Sequence, residues 1–314
     1  MGKIAFVFPG QGSQYVGMGK ELAAQDEAVK AVYQLADEHL DFSVSELCFS
    51  GPEDRLKQTE FTQPALLTTN IACLTYFKQF GIEPDYVAGH SLGEYAAHVA
   101  ANSITFEDAV KLVRLRGQYM GSCYPEGKGT MAAILGFEDK AIVEICKEIA
   151  TEKKVVVPAN YNCPGQVVIA GDREAVEIAV EKSKEQGAKR AVMLPVSGPF
   201  HSSLMKPAGE KIAERLQEVT INDLAIPLVT NADAAIIETK DQVSNSLVRQ
   251  ISEPVRWTES IEKLMELGVD TFVELGPGKV LSGLIRKINK KALVVNVEDV
   301  KSGDKSIAKL RECI

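Results

Sequence analysis

The 314-residue chain is poor in the features that would send it to a membrane, to nucleic acid or out of the cell. Nothing in it approaches the run of about 18 apolar residues that a spanning helix needs, and the apolar stretch of MGKIAFVFPG is too short for a signal peptide. Positive charge is in deficit: 35 Lys and Arg against 43 Asp and Glu leave a net charge of −8, which argues against generic nucleic-acid binding. The cysteines, Cys48, Cys73, Cys123, Cys146, Cys163 and Cys313, show no C-x-x-C spacing and no nearby histidine pairs, so neither a disulfide framework nor a metal site is indicated. A reducing cytoplasm is the expected compartment. No phosphate-loop Gly-Lys-Ser/Thr occurs, and Gly10, Gly12 and Gly17 are spaced G-x-G-x-x-x-x-G instead of G-x-G-x-x-G, which disfavours nucleotide binding. Histidine is scarce, with four in the chain.

What is present is enough apolar sequence, 45%, to bury a sizeable core, and one stretch that the rest serves. Tyr86-Val87-Ala88 reads as a short strand that meets a helix through Gly89-His90-Ser91-Leu92-Gly93. G-x-S-x-G between strand and helix is the pattern of a nucleophile elbow, in which a strained turn exposes the serine hydroxyl. Ser91 is the candidate nucleophile; a plain helix cap by Ser91 would give the same letters.

Other candidates lie along the chain. Lys3 to Phe8 reads as a buried strand that runs into a glycine-bracketed loop with Gln11 at its tip. Thr62-Gln63-Pro64 reads as the start of a buried helix with proline in its first turn, and Gln63 either faces the site or caps. Arg116 shares the apolar stripe of the next helix with Ala109, Leu112 and Val113, so it pairs with a carboxylate of the protein or is kept for one on a substrate. From Thr130 to Pro195 the rhythm becomes β-α-β-β-α-β, a ferredoxin-like unit whose second helix starts at an Asp172 cap. His201, in the turn-rich Val196–Ser202, is the best base candidate, since His39, His90 and His98 fall where structural roles are expected. Pro227–Asn231, Thr271–Glu274 and Leu293–Val297 read as further strands, and Thr258 as a helix cap. The expected fold is α/β, a parallel-sheet domain from 1–126 and 196–314 interrupted by the insert 127–195, with ligands between the two.

Seven segments together, FPGQGSQ (Phe8–Gln14), TQPA (Thr62–Ala65), GHSLGE (Gly89–Glu94), RLRG (Arg114–Gly117), GPFHS (Gly198–Ser202), LVRQ (Leu247–Gln250) and ELGPGKVL (Glu274–Leu281), resemble the malonyl-CoA:acyl carrier protein transacylases of bacterial fatty acid synthesis. The resemblance implies an α/β-hydrolase-like large domain, Ser91 as acyl-bearing nucleophile and His201 as its base and acid. It implies further that an acceptor corresponding to Gln250 orients the histidine, that the N–H groups of Gln11 and Leu92 form the oxyanion hole, and that Arg116 grips the malonyl carboxylate. Phe200 is similar to members that exclude an α-methyl branch. Gln63, Asn160 and Asn162 lie in shared motifs and are carried as substrate-binding candidates.

The implied substrate is malonyl-CoA and the implied partner is acyl carrier protein through its phosphopantetheine thiol, with no bound cofactor or metal. A monomer is expected, with no nucleic-acid or membrane partner. Because carrier proteins are acidic, Lys189, Arg190, Arg286 and Lys287 are the docking candidates. A polyketide loading enzyme and a serine thioesterase or esterase are the alternatives, and a non-catalytic scaffold is set against the intact Ser91, His201 and Arg116.

Overall fold

The computed structural model describes residues 2–196 and 198–313, leaving Ser197 of the Val196–Ser202 stretch outside the described residues. Among the described residues, ten strands form two sheets. Six of them, β1 (Lys3–Phe8), β2 (Tyr86–Gly89), β7 (Leu228–Val229), β8 (Ile236–Ile237), β9 (Val269–Leu275) and β10 (Leu293–Val297), make a sheet of order β10-β9-β1-β2-β7-β8. All neighbours are parallel except β7 and β8. The central β1 is apolar from Ala5 to Phe8 because helices cover both faces, and a strand buried on both sides needs no alternation.

β3 (Gly129–Leu135), β4 (Val156–Cys163), β5 (Gln166–Asp172) and β6 (Arg190–Met193) make a separate antiparallel sheet of order β4-β5-β3-β6, the ferredoxin-like order. Alternation decides its two faces. Ala132, Ile134, Val167 and Ile169 pack under the helices Asp139–Ile149 and Arg173–Glu185, while Met131, Ala133 and Val168 face a cleft against the larger sheet. Val255 ties the two parts together: its N–H donates to the Ala159 carbonyl at 2.8 Å, and its carbonyl accepts from Tyr161 N–H at 2.9 Å.

Several local expectations need correction. The larger sheet is not wholly parallel, because β8 returns as a two-residue hairpin partner of β7, and β7 is itself only Leu228–Val229. Asp172 does not cap with its side chain; its carboxylate accepts from Val155 N–H at 2.6 Å and from the Tyr124 hydroxyl. Thr258 lies inside the helix Trp257–Glu266 and donates to the Tyr161 carbonyl at 3.1 Å.

The buried helix begins at Thr59, not at Thr62, and runs to Lys78, which puts Pro64 in its interior. Proline has no N–H, so the Glu60 carbonyl loses its helical partner. Arg114, on the neighbouring helix Phe106–Ser122, donates to that carbonyl at 2.9 Å and to the Glu60 carboxylate at 2.8 Å. The proline is thus accommodated by a residue from another element.

Candidate active site

β2 ends at Gly89 and the following helix starts at Gly93, with Ser91 between them at φ 50°, a left-handed conformation that costs a non-glycine residue energy. Both glycines are sterically required. A Cβ on Gly89 would lie 1.9 Å from the Gly93 carbonyl carbon, and one on Gly93 would lie 2.0 Å from the Phe8 carbonyl oxygen. The tight approach turns the Ser91 side chain out of the sheet toward His201, whose Nε2 lies 2.7 Å from Ser91 Oγ.

His201 is itself left-handed, at φ 58°, and almost completely buried. Its Nδ1 faces two carbonyl oxygens, Gln250 at 2.9 Å and Glu253 at 3.2 Å. Carbonyls only accept, so Nδ1 carries the proton and Nε2 presents its lone pair to the Ser91 hydroxyl. The acceptor at position 250 is therefore the backbone, and the Gln250 side chain has other partners. Burial first, and then the Arg116 charge, push the imidazole down to about 3, so the ring is neutral at pH 7.

Arg116 is fully buried on the helix Phe106–Ser122. Its Nη1 donates to Gln63 Oε1 at 2.8 Å, and its Nη2 to Gln250 Oε1 at 2.8 Å and to Ser91 Oγ at 3.3 Å. Its hydrogen-bond acceptors among the described residues are all neutral, and burial lowers its pKa. The buried Glu94 carboxylate acts on it through space, but burial raises Glu94 itself to about 7, so that charge is only partly present at neutral pH. Of the two fates considered for Arg116, an ion pair within the protein is not found among the described residues. Arg114 does have such pairs, with Glu60 at 2.8 Å and Asp41 at 3.4 Å.

These groups open into a cleft of about 640 Å³ between the two sheets. Gln11 and Leu92 line it beside Ser91, and their backbone N–H groups have no hydrogen-bond partner among the described residues. Phe200, buried next to His201, closes one wall together with Met131 and Val168. Gln63 faces Arg116 and does not cap its helix. Asn160 and Asn162 reach the cleft from β4, where Asn162 Oδ1 accepts from His90 Nε2 at 2.8 Å. His98 lies buried away from the cleft, bonded to Ser103, and His39 bonds the Leu35 carbonyl.

Three of the four basic candidates converge. Lys287 donates to Gln166 on the cleft rim at 3.1 Å, Gln166 pairs across the sheet with Leu135, and Leu135 pairs with Arg190. Lys189 lies over Gly136 at the same end of the sheet, while Arg286 is turned back to the Val294 carbonyl at 2.8 Å.

Two buried polar residues at the elbow were not singled out from the sequence. Asn231 bonds the backbone on both sides of His90, and Glu94 accepts the Asn231 N–H. Their separations, 140 and 137 residues, leave no local signal. No group of three or more His, Cys, Asp and Glu suited to a metal ion occurs among the described residues, and no described helix is long and apolar enough to cross a membrane.

Residues 5–304 match the acyl transferase domain family. The chain is 50% identical over 312 residues to the malonyl CoA-acyl carrier protein transacylase of Bacillus subtilis (strain 168), an alignment that covers 99% of this chain and 98% of the relative. Its fold is similar to the solved malonyl CoA-acyl carrier protein transacylase from Coxiella burnetii, with a TM-score of 0.96, 41% identity and 98% of each chain covered. It is also similar to a malonyl-transacylase solved in complex with its type II PKS acyl-carrier protein, with a TM-score of 0.95, 42% identity, and 98% of this chain and 99% of that one covered.

Proposed function

The chain belongs to the acyl transferase domain family, and from that premise we propose that it moves the malonyl group of malonyl-CoA to the phosphopantetheine thiol of an acyl carrier protein through an acyl-enzyme on Ser91. The observation that carries this reading is Arg116: a buried guanidinium 3.3 Å from the Ser91 hydroxyl whose own hydrogen bonds go to neutral acceptors. Burying a cation without a counter-charge is costly, and a malonyl carboxylate would supply the charge at a fixed distance from the nucleophile. Gln63 and Gln250 hold the fork in its plane from either side.

In the first half-reaction His201 Nε2 takes the Ser91 proton as Oγ attacks the thioester carbon. The oxyanion forms between the N–H groups of Gln11 and Leu92, and collapse expels the coenzyme A thiolate, which leaves with the proton from His201. In the second, the carrier thiol gives its proton to the same nitrogen, attacks the acyl-serine, and Ser91 recovers its proton from His201. The Gln250 and Glu253 carbonyls fix the ring without a formal negative charge behind it. Arg116 also lowers the basicity of His201. A bound malonyl carboxylate neutralises that effect and makes the imidazole a better base when the right substrate is in place.

Phe200, Asn160 and Asn162 line the cleft; Phe200 is assigned as the wall that would crowd an α-branch, and Asn160 and Asn162 as groups beside the acyl chain. Segment 127–195 is assigned as the inserted domain that closes the cleft over the larger one. Free thiols at Cys48, Cys73, Cys123, Cys146 and Cys163 suit a cytoplasmic enzyme, and the chemistry calls on no bound cofactor.

The test is intact-mass measurement after mixing with malonyl-CoA. The wild type gains one malonyl mass, Ser91→Ala gains none while keeping its fold, and a Ser91→Ala protein that still acylates removes the reading.

A further inference from the structure

The backbone around Ser91 is held by a side chain that stands in for a strand. β2 and β7 pair in the parallel register Val87 with Leu228 and Ala88 with Val229, and Val87 N–H donates to the Pro227 carbonyl at 3.0 Å. Two rungs further on, this register would have Asn231 N–H donating to the Gly89 carbonyl and Ser91 N–H donating to the Asn231 carbonyl. The structure makes both bonds with the Asn231 carboxamide instead. Nδ2 donates to the Gly89 carbonyl at 2.7 Å, and Oδ1 accepts from Ser91 N–H at 2.6 Å. The Asn231 backbone, displaced by its own side chain, is satisfied elsewhere: its N–H donates to Glu94 Oε2 at 2.8 Å, and its carbonyl accepts from Arg256 N–H at 3.0 Å. Asn231 is 1% exposed and Glu94 is fully buried.

We infer that Asn231 is a positioning residue for acyl transfer, a surrogate peptide unit that extends the β2–β7 ladder around the strained elbow and thereby aims both Ser91 Oγ and the Leu92 N–H. Two effects follow. The carboxamide fixes the peptide groups before and after His90, which leaves Ser91 in its left-handed conformation with Oγ 2.7 Å from His201. It also occupies the Ser91 N–H, so the next amide, Leu92, is the elbow's free donor. Gln250 Nε2, donating to the Ser91 carbonyl at 2.9 Å, braces the other side of the turn. Glu94 secures the arrangement by taking the N–H that the ladder gave up, and the Ser246 hydroxyl donates to its second oxygen at 3.4 Å.

This inference rests on Ser91 being the acylated residue, and the experiment separates the two. Malonylation of Ser91 is followed by rapid-quench intact mass in the wild type, Asn231→Ala and Asn231→Asp, and each rate is expressed per acylatable site so that misfolded protein does not count. Asn231→Ala is expected to lower the rate constant roughly a hundredfold, the scale of a misplacement of about 1 Å, with KM little changed because Arg116 keeps its partners. Asn231→Asp carries a further signature. As a carboxylate it cannot donate to the Gly89 carbonyl, but once protonated it offers the same acceptor and donor as the amide. The ionisable groups around it are Glu94, His90, His201 and, across Gln250, Arg116; burial and Glu94 favour the neutral carboxyl there. His201 stays neutral to about 3. The Asp variant is therefore expected to recover as pH falls from 8 toward 5, where the wild type shows no rise. A per-site rate for Asn231→Ala equal to the wild type overturns the inference, as does an Asp variant that stays slow throughout the pH range. A wild type that never acylates Ser91 overturns the proposed function as well.

Discussion

His201 shows how a single residue's surroundings set its chemistry. A histidine in water is half protonated near pH 6.5, but burial and the adjacent Arg116 hold this ring at about 3, so its base form persists into acid. Protonation is what abolishes a general base, so a lowered pKa moves the acid limb of kcat/KM downward. With acetyl-CoA, which brings no carboxylate of its own, kcat/KM is expected to hold nearly constant from pH 8 to well below 6. An acid limb close to 6.5 would show that the ring is solvated and not held as described. Ser91 and Arg116 stand out in the sequence because a G-x-S-x-G turn and an arginine on an apolar stripe are unusual where they stand, and His201 because the other histidines fall where structural roles are expected; the fold brings the three together. Asn231 and Glu94 do not, since an asparagine past a strand and a glutamate in a helix are ordinary until the fold brings them together.

The helix Thr59–Lys78 marks the corresponding limit for elements. Its existence and burial follow from its apolar sequence, but its start does not, because Pro64 looks like a first-turn proline and Thr62 like a cap. What overrides both is Arg114, 54 residues from Glu60, whose guanidinium donates to the carbonyl that Pro64 leaves without a helical partner. Arg114→Leu leaves that carbonyl unpaired and is expected to cost about 1–3 kcal/mol in urea unfolding, with the partly exposed ion pairs to Glu60 and Asp41 adding little. The ratio of malonyl to acetyl transfer should not change, since Arg114 is outside the cleft lining. An unaltered unfolding midpoint would mean that the helix does not depend on this bond. The missed β8 has a similar origin: a two-residue strand carries too little pattern to be distinguished from a loop.

For the whole molecule, alternation of strands and helices was sufficient to expect a parallel sheet and a separate antiparallel one, and hence a cleft between them. We propose that the carrier protein is received where distant basic residues meet at one rim of the cleft. Reversing the charge of Lys189, Arg190 and Lys287 is expected to raise the carrier-protein KM and weaken its salt dependence while transfer to a small thiol is unaffected; unchanged carrier transfer would place docking elsewhere. The central claim is that this is a malonyl transferase and not a general serine acylase, and Arg116 decides it. The measurement is kcat/KM for malonyl-CoA and acetyl-CoA in the wild type, Arg116→Ala and Arg116→Lys. Removing one partner of a buried pair costs about 3–5 kcal/mol, so malonyl transfer should fall by two orders of magnitude or more in Arg116→Ala, while acetyl transfer holds or rises. Arg116→Lys should resemble the alanine variant, because an ammonium lacks the planar fork. Equal proportional losses on both substrates would contradict the account and make Arg116 a structural residue.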